Sequence, residues 1–179
     1  MENFETNIRP GVAKTALTYG FVIGLVLILI QVVFYFAGNI TSPLGTVLSY
    51  AIMLGGVVVV VRSRRDQDLG GFIKYGQALG LGTLSIFIAS LLLGVYVYIF
   101  YKFIDPAAIN TIMVAAENKI LDGNPNISDD ELEMVLNLSR NLMSPGFLSF
   151  SILFNYTFLG FVMSLIVSIF MKKPPPEEF

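Results

Sequence analysis

Three stretches of this sequence hold residue types at spacings that could do chemistry. The first is "VRSRRDQDLGGFIKYGQALGLG", Val61 to Gly82, in which arginines and glycines are the raw material of a phosphate-cradling loop. Such a loop needs G-x-x-x-x-G-K-[ST], with backbone amides around the phosphate, a lysine reaching it and a hydroxyl on magnesium. Gly71 and Gly76 have the glycine spacing, but Gln77 and Ala78 follow them. The dinucleotide pattern G-x-G-x-x-G fails as well, because Gly80 and Gly82 lead to Ser85. Nucleotide binding is not expected here.

The second stretch is acidic. Asp122, Asn124, Asn126, Ser128, Asp130 and Glu133 fall at the six ligand positions of an EF-hand-like loop, and all carry oxygen, the donor that calcium requires. Against calcium, Ile127 stands where the turn demands glycine, Pro125 stiffens the approach, and Asp129 replaces an apolar residue. A capping box, Ser128 with Glu131, accounts for two of these side chains without an ion. A solvated acidic cap is the preferred reading, so no metal site is expected.

The third group is scattered through apolar text: Gln31, Tyr50 and Asn155. At 1.5 Å per residue they lie roughly 9, 10 and 14 Å from the same end of their segments. They could meet as interhelical hydrogen-bond partners. The sharper alternative is a small polar cavity for a lipid headgroup or hydrophobic solute.

Other chemistry is scarce. The chain has no histidine and no cysteine, so imidazole and thiol catalysis are unavailable. Carboxylates gather outside the apolar segments. The expectation is a non-enzymatic protein with no cofactor.

The elements that must carry these residues follow from hydropathy. The chain is 55% hydrophobic and 13% charged, about half the charge of a typical soluble domain. No charged residue lies between Lys14 and Arg62, between Lys74 and Lys102, or between Arg140 and Lys172. Those intervals predict four membrane spans at about 15–37, 43–61, 75–101 and 146–171, near the roughly 20 residues that a bilayer crossing needs. The first is longer than a signal-peptide core and leads directly into the second, so cleavage is not expected. The fold class is an all-α integral membrane protein of one domain, 1–179, with a helical hairpin between the third and fourth spans.

Charge sets the predicted orientation. Arg9, Lys14, Arg62, Arg64, Arg65, Lys74, Lys172 and Lys173 fall on one side, against Lys102, Lys119 and Arg140 on the other. The positive-inside rule then places both termini and the 62–74 loop in the cytoplasm of a bacterial inner membrane. Arg62, Arg64, Arg65, Lys74, Lys172 and Lys173 become topology anchors that also face anionic headgroups, at about 1 kcal/mol per cation near the surface. Gly70–Gly71 supplies the reversal, since glycine tolerates positive φ. Phe34–Phe36, Tyr96–Phe103, Phe147 and Phe150 form an aromatic belt at the opposite interface.

Residues 102–144 predict two short amphipathic helices. Ile109, Ile112, Met113, Ala116, Ile120 and Leu121 give one stripe, and Leu132, Val135, Leu136, Leu142 and Met143 the other. Gly123 is a plausible C-cap between them. Small residues at spacing four, Gly20/Gly24, Gly76/Gly80 and Gly160/Ser164, predict close helix packing within the bundle or in a homo-oligomer.

The turn "GGFIKYGQALGLG", the exit "YVYIFYKFIDP", the acidic outer helices and the closing "MKK" resemble the membrane family called domain of unknown function 4199, known mainly from Bacteroidetes. The resemblance covers about residues 10–173 and implies a four-helix inner-membrane protein, with no reaction or ligand to carry over. From composition and spacing, the expected partners are the lipid bilayer and a membrane protein or further copies of the chain, and no nucleic acid. The favoured role is a scaffold or accessory subunit, and the alternative is a carrier or lipid-binding protein.

Overall fold

The structure is a computed structural model that describes residues 11–174. Among the cations that set the predicted orientation, Arg9 lies outside these residues. Six α-helices follow in order: α1 (Val12–Phe36), α2 (Pro43–Ser63), α3 (Tyr75–Ile99), α4 (Ala108–Gly123), α5 (Asp129–Leu142) and α6 (Pro145–Met171). Four of them, α1, α2, α3 and α6, are long and apolar enough to cross a membrane. The fold is therefore all-helical, with four candidate spans and a short helical pair between the third and fourth.

Local sequence explains most helix starts. Ser42 and Ser144 accept hydrogen bonds from the Leu44 and Phe147 amides at 3.3 and 3.4 Å, each followed by a proline whose missing N–H needs no partner there. Ser128 accepts from Glu131 at 3.3 Å, and the Glu131 carboxylate accepts the Ser128 amide at 3.5 Å, closing the expected capping box. Gln77 has a role that the sequence reading missed: its side-chain oxygen accepts the Lys74 amide at 3.1 Å and starts α3.

Two expectations about boundaries change. The predicted 62–74 loop is mostly helix: α2 runs on through one π-helical turn, Arg64–Asp68, before the chain reverses. The reversal itself falls on Gly70 and Gly71, with φ of 65° and 91°. Helix α3 also continues through a π-helical turn, Phe100–Ile104. Gly123 is the last residue of α4 rather than a left-handed cap, and Asn124, with φ −142° and ψ 80°, ends the helix.

Helix α3 is the hub. It packs chiefly against α6 and α1, while α2 closes the remaining side. Its buried residues recur as Leu81, Gly82, Ser85, Ile86, Ala89, Ser90, Leu93, Gly94 and Val97. Most are small, so neighbouring backbones approach closely and gain dispersion contacts that lipid alone does not supply. A β-carbon on Gly20 of α1 would sit 2.6 Å from the Ser85 carbonyl oxygen, and one on Gly24 would sit 3.1 Å from that of Ala89. On the other flank Gly160 lies against Ile86, and Ser164 lies against Gly82. Ser149 donates to the Gly94 carbonyl at 2.8 Å, and Ser90 and Thr157 share a 2.9 Å hydrogen bond, both joining α3 to α6.

Gly76 and Gly80 do not belong to this seam. Both are exposed, and a β-carbon on either would meet nothing within 4 Å. Spacing of four marks a helix face without saying which face. The packing glycines of α3 are Gly82, which lies against Ser164, and Gly94, which lies against Ser149.

Candidate functional site

Two ends and one interior region of the bundle hold the residues that the sequence singled out. At one end, the start of α1, the α2–α3 turn and the end of α6 come together. Arg64 is buried there, with Nη1 donating to Asp68 at 2.8 Å and to the Thr15 hydroxyl at 3.4 Å. Arg65 binds the Asp66 carboxylate at 2.7 and 3.3 Å and reaches the Met171 carbonyl of α6 at 3.5 Å. Ile73 and Lys173 exchange two backbone hydrogen bonds, 2.8 and 2.9 Å, which clip the turn to the end of α6.

These contacts divide the predicted anchors. Arg64 and Arg65 are committed to protein partners that tie α2 to α1 and α6. Arg62, Lys74 and Lys172 remain exposed, as surface anchors must be, and Arg62 also pairs with Asp66 at 3.5 Å. Lys173 is exposed with its ammonium 5.5 Å from the Phe72 ring. Sequence spacing could not separate the two groups, because burial depends on where the helix is pointing when each arginine arrives.

Beside Arg64 is a polar recess of about 250 Å³ lined by Lys14, Thr15, Thr18, Tyr19, Ser63, Gln67 and Asp68. Within it Tyr19 donates to Ser63 at 2.6 Å, and Ser63 donates to Gln67 at 3.1 Å. The relay fastens α1 to the end of α2.

At the opposite end, Tyr35 donates to the Asp105 carboxylate at 2.8 Å. The other Asp105 oxygen accepts the Ala108 amide at 3.2 Å and caps the start of α4. One side chain therefore joins the end of α1 to the corner where the α4–α5 hairpin begins. Phe100 packs edge-on against Tyr35, with ring centroids 4.8 Å apart, and against Tyr101 at 5.2 Å. Lys102 donates to the Tyr98 hydroxyl at 2.6 Å. The predicted aromatic belt here is partly an internal brace.

The interior polar residues are brought together only in part. Gln31 lines a small cavity of about 40 Å³ with Ser49 and Tyr156, room for a water or two. Tyr156 is buried beside it, and Ser49 donates to the Gly45 carbonyl at 2.8 Å. Tyr50 stands beside Tyr156, with ring centroids 6.1 Å apart. Asn155 does not join them. It is exposed on the outer face of α6, in an open groove with Phe147, Phe150, Ser151 and Phe154.

The reason is helical geometry. Tyr156, Gly160, Ser164 and Ser168 recur every four residues and are all buried. Asn155 precedes this row by one residue, about 100° around the helix. The stripe Gly160/Ser164/Ser168 was visible in the sequence, and extending it back by four gives Tyr156, the residue that the sequence reading overlooked.

The α4–α5 hairpin packs mainly on itself. A cleft of about 310 Å³ runs along it, lined by residues that include Met113, Glu117, Leu136 and Arg140. Helix α5 has no buried residue among those described, and Met134, Val135, Leu138 and Leu142 are exposed along one side. Ser128, one of the six oxygen-bearing residues of the acidic stretch, uses its hydroxyl to cap α5.

A family model described as "Protein of unknown function (DUF4199)" matches residues 18–173, from the second turn of α1 to the clip at Lys173. No curated protein and no solved structure matches the chain. The matched segment takes in most of the first candidate span, the other three spans, both π-helical turns and the whole hairpin, so the chain belongs to the DUF4199 family.

Proposed function

We propose that this multi-pass membrane protein is a non-enzymatic scaffold or accessory subunit whose α4–α5 hairpin engages a membrane-protein partner. The observation that carries this reading is the uncovered apolar side of α5. Met134 and Leu138 are 74% and 59% exposed, and neither the bundle nor α4 covers them. Asp129, Asp130, Glu131 and Glu133 border that side, which suits a partner with an apolar strip and basic groups around it.

The inner membrane of a bacterium is the proposed location, with the Arg62–Lys74 end and both termini in the cytoplasm. Support comes from the exposed cations Arg62, Lys74, Lys172 and Lys173 at that end. The carrier reading draws less support, because Asn155 stands apart and the Gln31 cavity of about 40 Å³ is far smaller than a lipid headgroup.

Purification in mild detergent tests the proposal. A stoichiometric partner should accompany the intact protein and be lost when residues 106–143 are replaced by a short linker. Retention of the partner by the shortened protein would place the contact elsewhere. For orientation, a reporter fused after Phe179 should be active only as a cytoplasmic fusion.

A further inference from the structure

We infer that the exposed face of α6 is a self-association surface, on which a second copy of this chain docks through Asn155. The starting point is a mismatch between a polar group and its surroundings. Helix α6 has 27 residues, about 40 Å of helix against a hydrocarbon core of about 30 Å. Asn155 lies ten residues after Pro145, about 15 Å along the axis and so about 10 Å inside the hydrocarbon. It is exposed, and no hydrogen bond to its side-chain amide is present among the described residues. Its neighbours on that face, Phe150, Phe154 and Phe158, are 61%, 67% and 58% exposed and are suited to lipid.

An amide in hydrocarbon without a partner is unstable, and a side chain as short as asparagine does not reach the headgroups from that depth. The bundle could have avoided this, since Tyr156 shows that the neighbouring position faces inward. The partner must therefore come from outside the chain.

A second copy fits for a reason of symmetry. All copies insert with the same orientation, so a twofold axis between two of them runs along the membrane normal. Each residue near that axis then meets its own counterpart at its own depth. An asparagine amide carries both donors and an acceptor, so two of them bond reciprocally. Ser151, one turn earlier, lines the same groove of about 520 Å³ and allows close approach beside the phenylalanines.

The test uses energy transfer between donor- and acceptor-labelled full-length protein in liposomes, over a series of lipid-to-protein ratios. The wild type should associate, and Asn155→Leu should weaken the association constant about tenfold, as loss of two interhelical hydrogen bonds predicts. Asn155→Gln, which keeps an amide, should retain most of it. Because the chain has no cysteine, single substitutions report geometry cleanly. Ser151→Cys and Val162→Cys should form disulfide-linked dimers, and Leu17→Cys on the exposed face of α1 should not. Replacing residues 106–143 by a linker should leave association unchanged, which separates this surface from the hairpin. A monomeric wild type at every ratio, or equal association by Asn155→Leu, would overturn the inference. So would a native mass spectrum of a monomer carrying one lipid that Asn155→Leu releases, because lipid would then be the occupant.

Discussion

Replacing Gly20 by valine tests whether α3 is the hub that the packing makes it. A β-carbon at Gly20 would stand 2.6 Å from the Ser85 carbonyl oxygen and 2.8 Å from the Ile88 β-carbon, where ordinary contact begins at 3.4 Å. The shortfall is 3.4 − 2.6 = 0.8 Å, and the obstructing oxygen is backbone, which a rotamer change does not move. Helix α1 must therefore back away from α3, loosening Gly24 against Ala89 as well. Overpacking of this kind costs about 1–3 kcal/mol, and the better helix propensity of valine returns only a few tenths. A net loss of about 2 kcal/mol is expected. The control is Gly80→Val, where nothing lies within 4 Å and the change should stay within about 0.5 kcal/mol. Both are measured by titrating the protein from mild detergent into sodium dodecyl sulfate and following helicity by circular dichroism. Equal midpoints for the two variants would refute the assignment of the packing face.

Two further outcomes follow from the ends of the bundle. Arg64→Ala should destabilise by about 2 kcal/mol, below the 3–5 of a fully buried pair because Asp68 keeps 20% of its side chain exposed. Arg62→Ala, at 72% exposure, should change the same unfolding midpoint little, so a larger loss from Arg62 than from Arg64 would contradict the division of anchors. Ser128→Ala removes the α5 cap and should cost that helix about 1 kcal/mol. Hydrogen exchange should quicken in residues 129–134 and stay unchanged in α3; uniform quickening would mean that the hairpin and bundle unfold as one unit.

The four spans and the hairpin were legible because each rests on a signal that is local in sequence. Charge-free runs of bilayer length, Ser-Pro at two helix starts and S-x-x-E at a third need no knowledge of neighbours. Facing is different. Asn155 and Tyr156 differ by one position, yet one is exposed on the outside of the bundle and the other is buried in the core. Gly76/Gly80 and Gly20/Gly24 have the same spacing, but only the second pair touches another helix. In water, polarity tells the outside of a helix from the inside. In a bilayer both sides are apolar, so that cue weakens and only the row of small or hydroxyl residues remains. For α6 the row beginning at Gly160 leads back to Tyr156 when extended by four, whereas in α3 the exposed pair Gly76/Gly80 has the same spacing as a packing pair. The burial of Arg64 had no local signal, since Arg62 and Arg65 share its composition and differ only in angle.

The central place of α3 has a consequence for how the protein is made. Helices α1 and α2 leave the ribosome first, and the glycine face of α1 has no counterpart until α3 follows. The other flank of α3 waits longer, through residues 100–144, before α6 exists. At about 5–20 residues per second, that interval lasts roughly two to nine seconds. Throughout it, Gly82 and Gly94 lack the α6 residues that cover them, with three of the four candidate spans already made. The hub of the bundle is therefore complete on one flank well before the other, and it is closed only when α6 arrives.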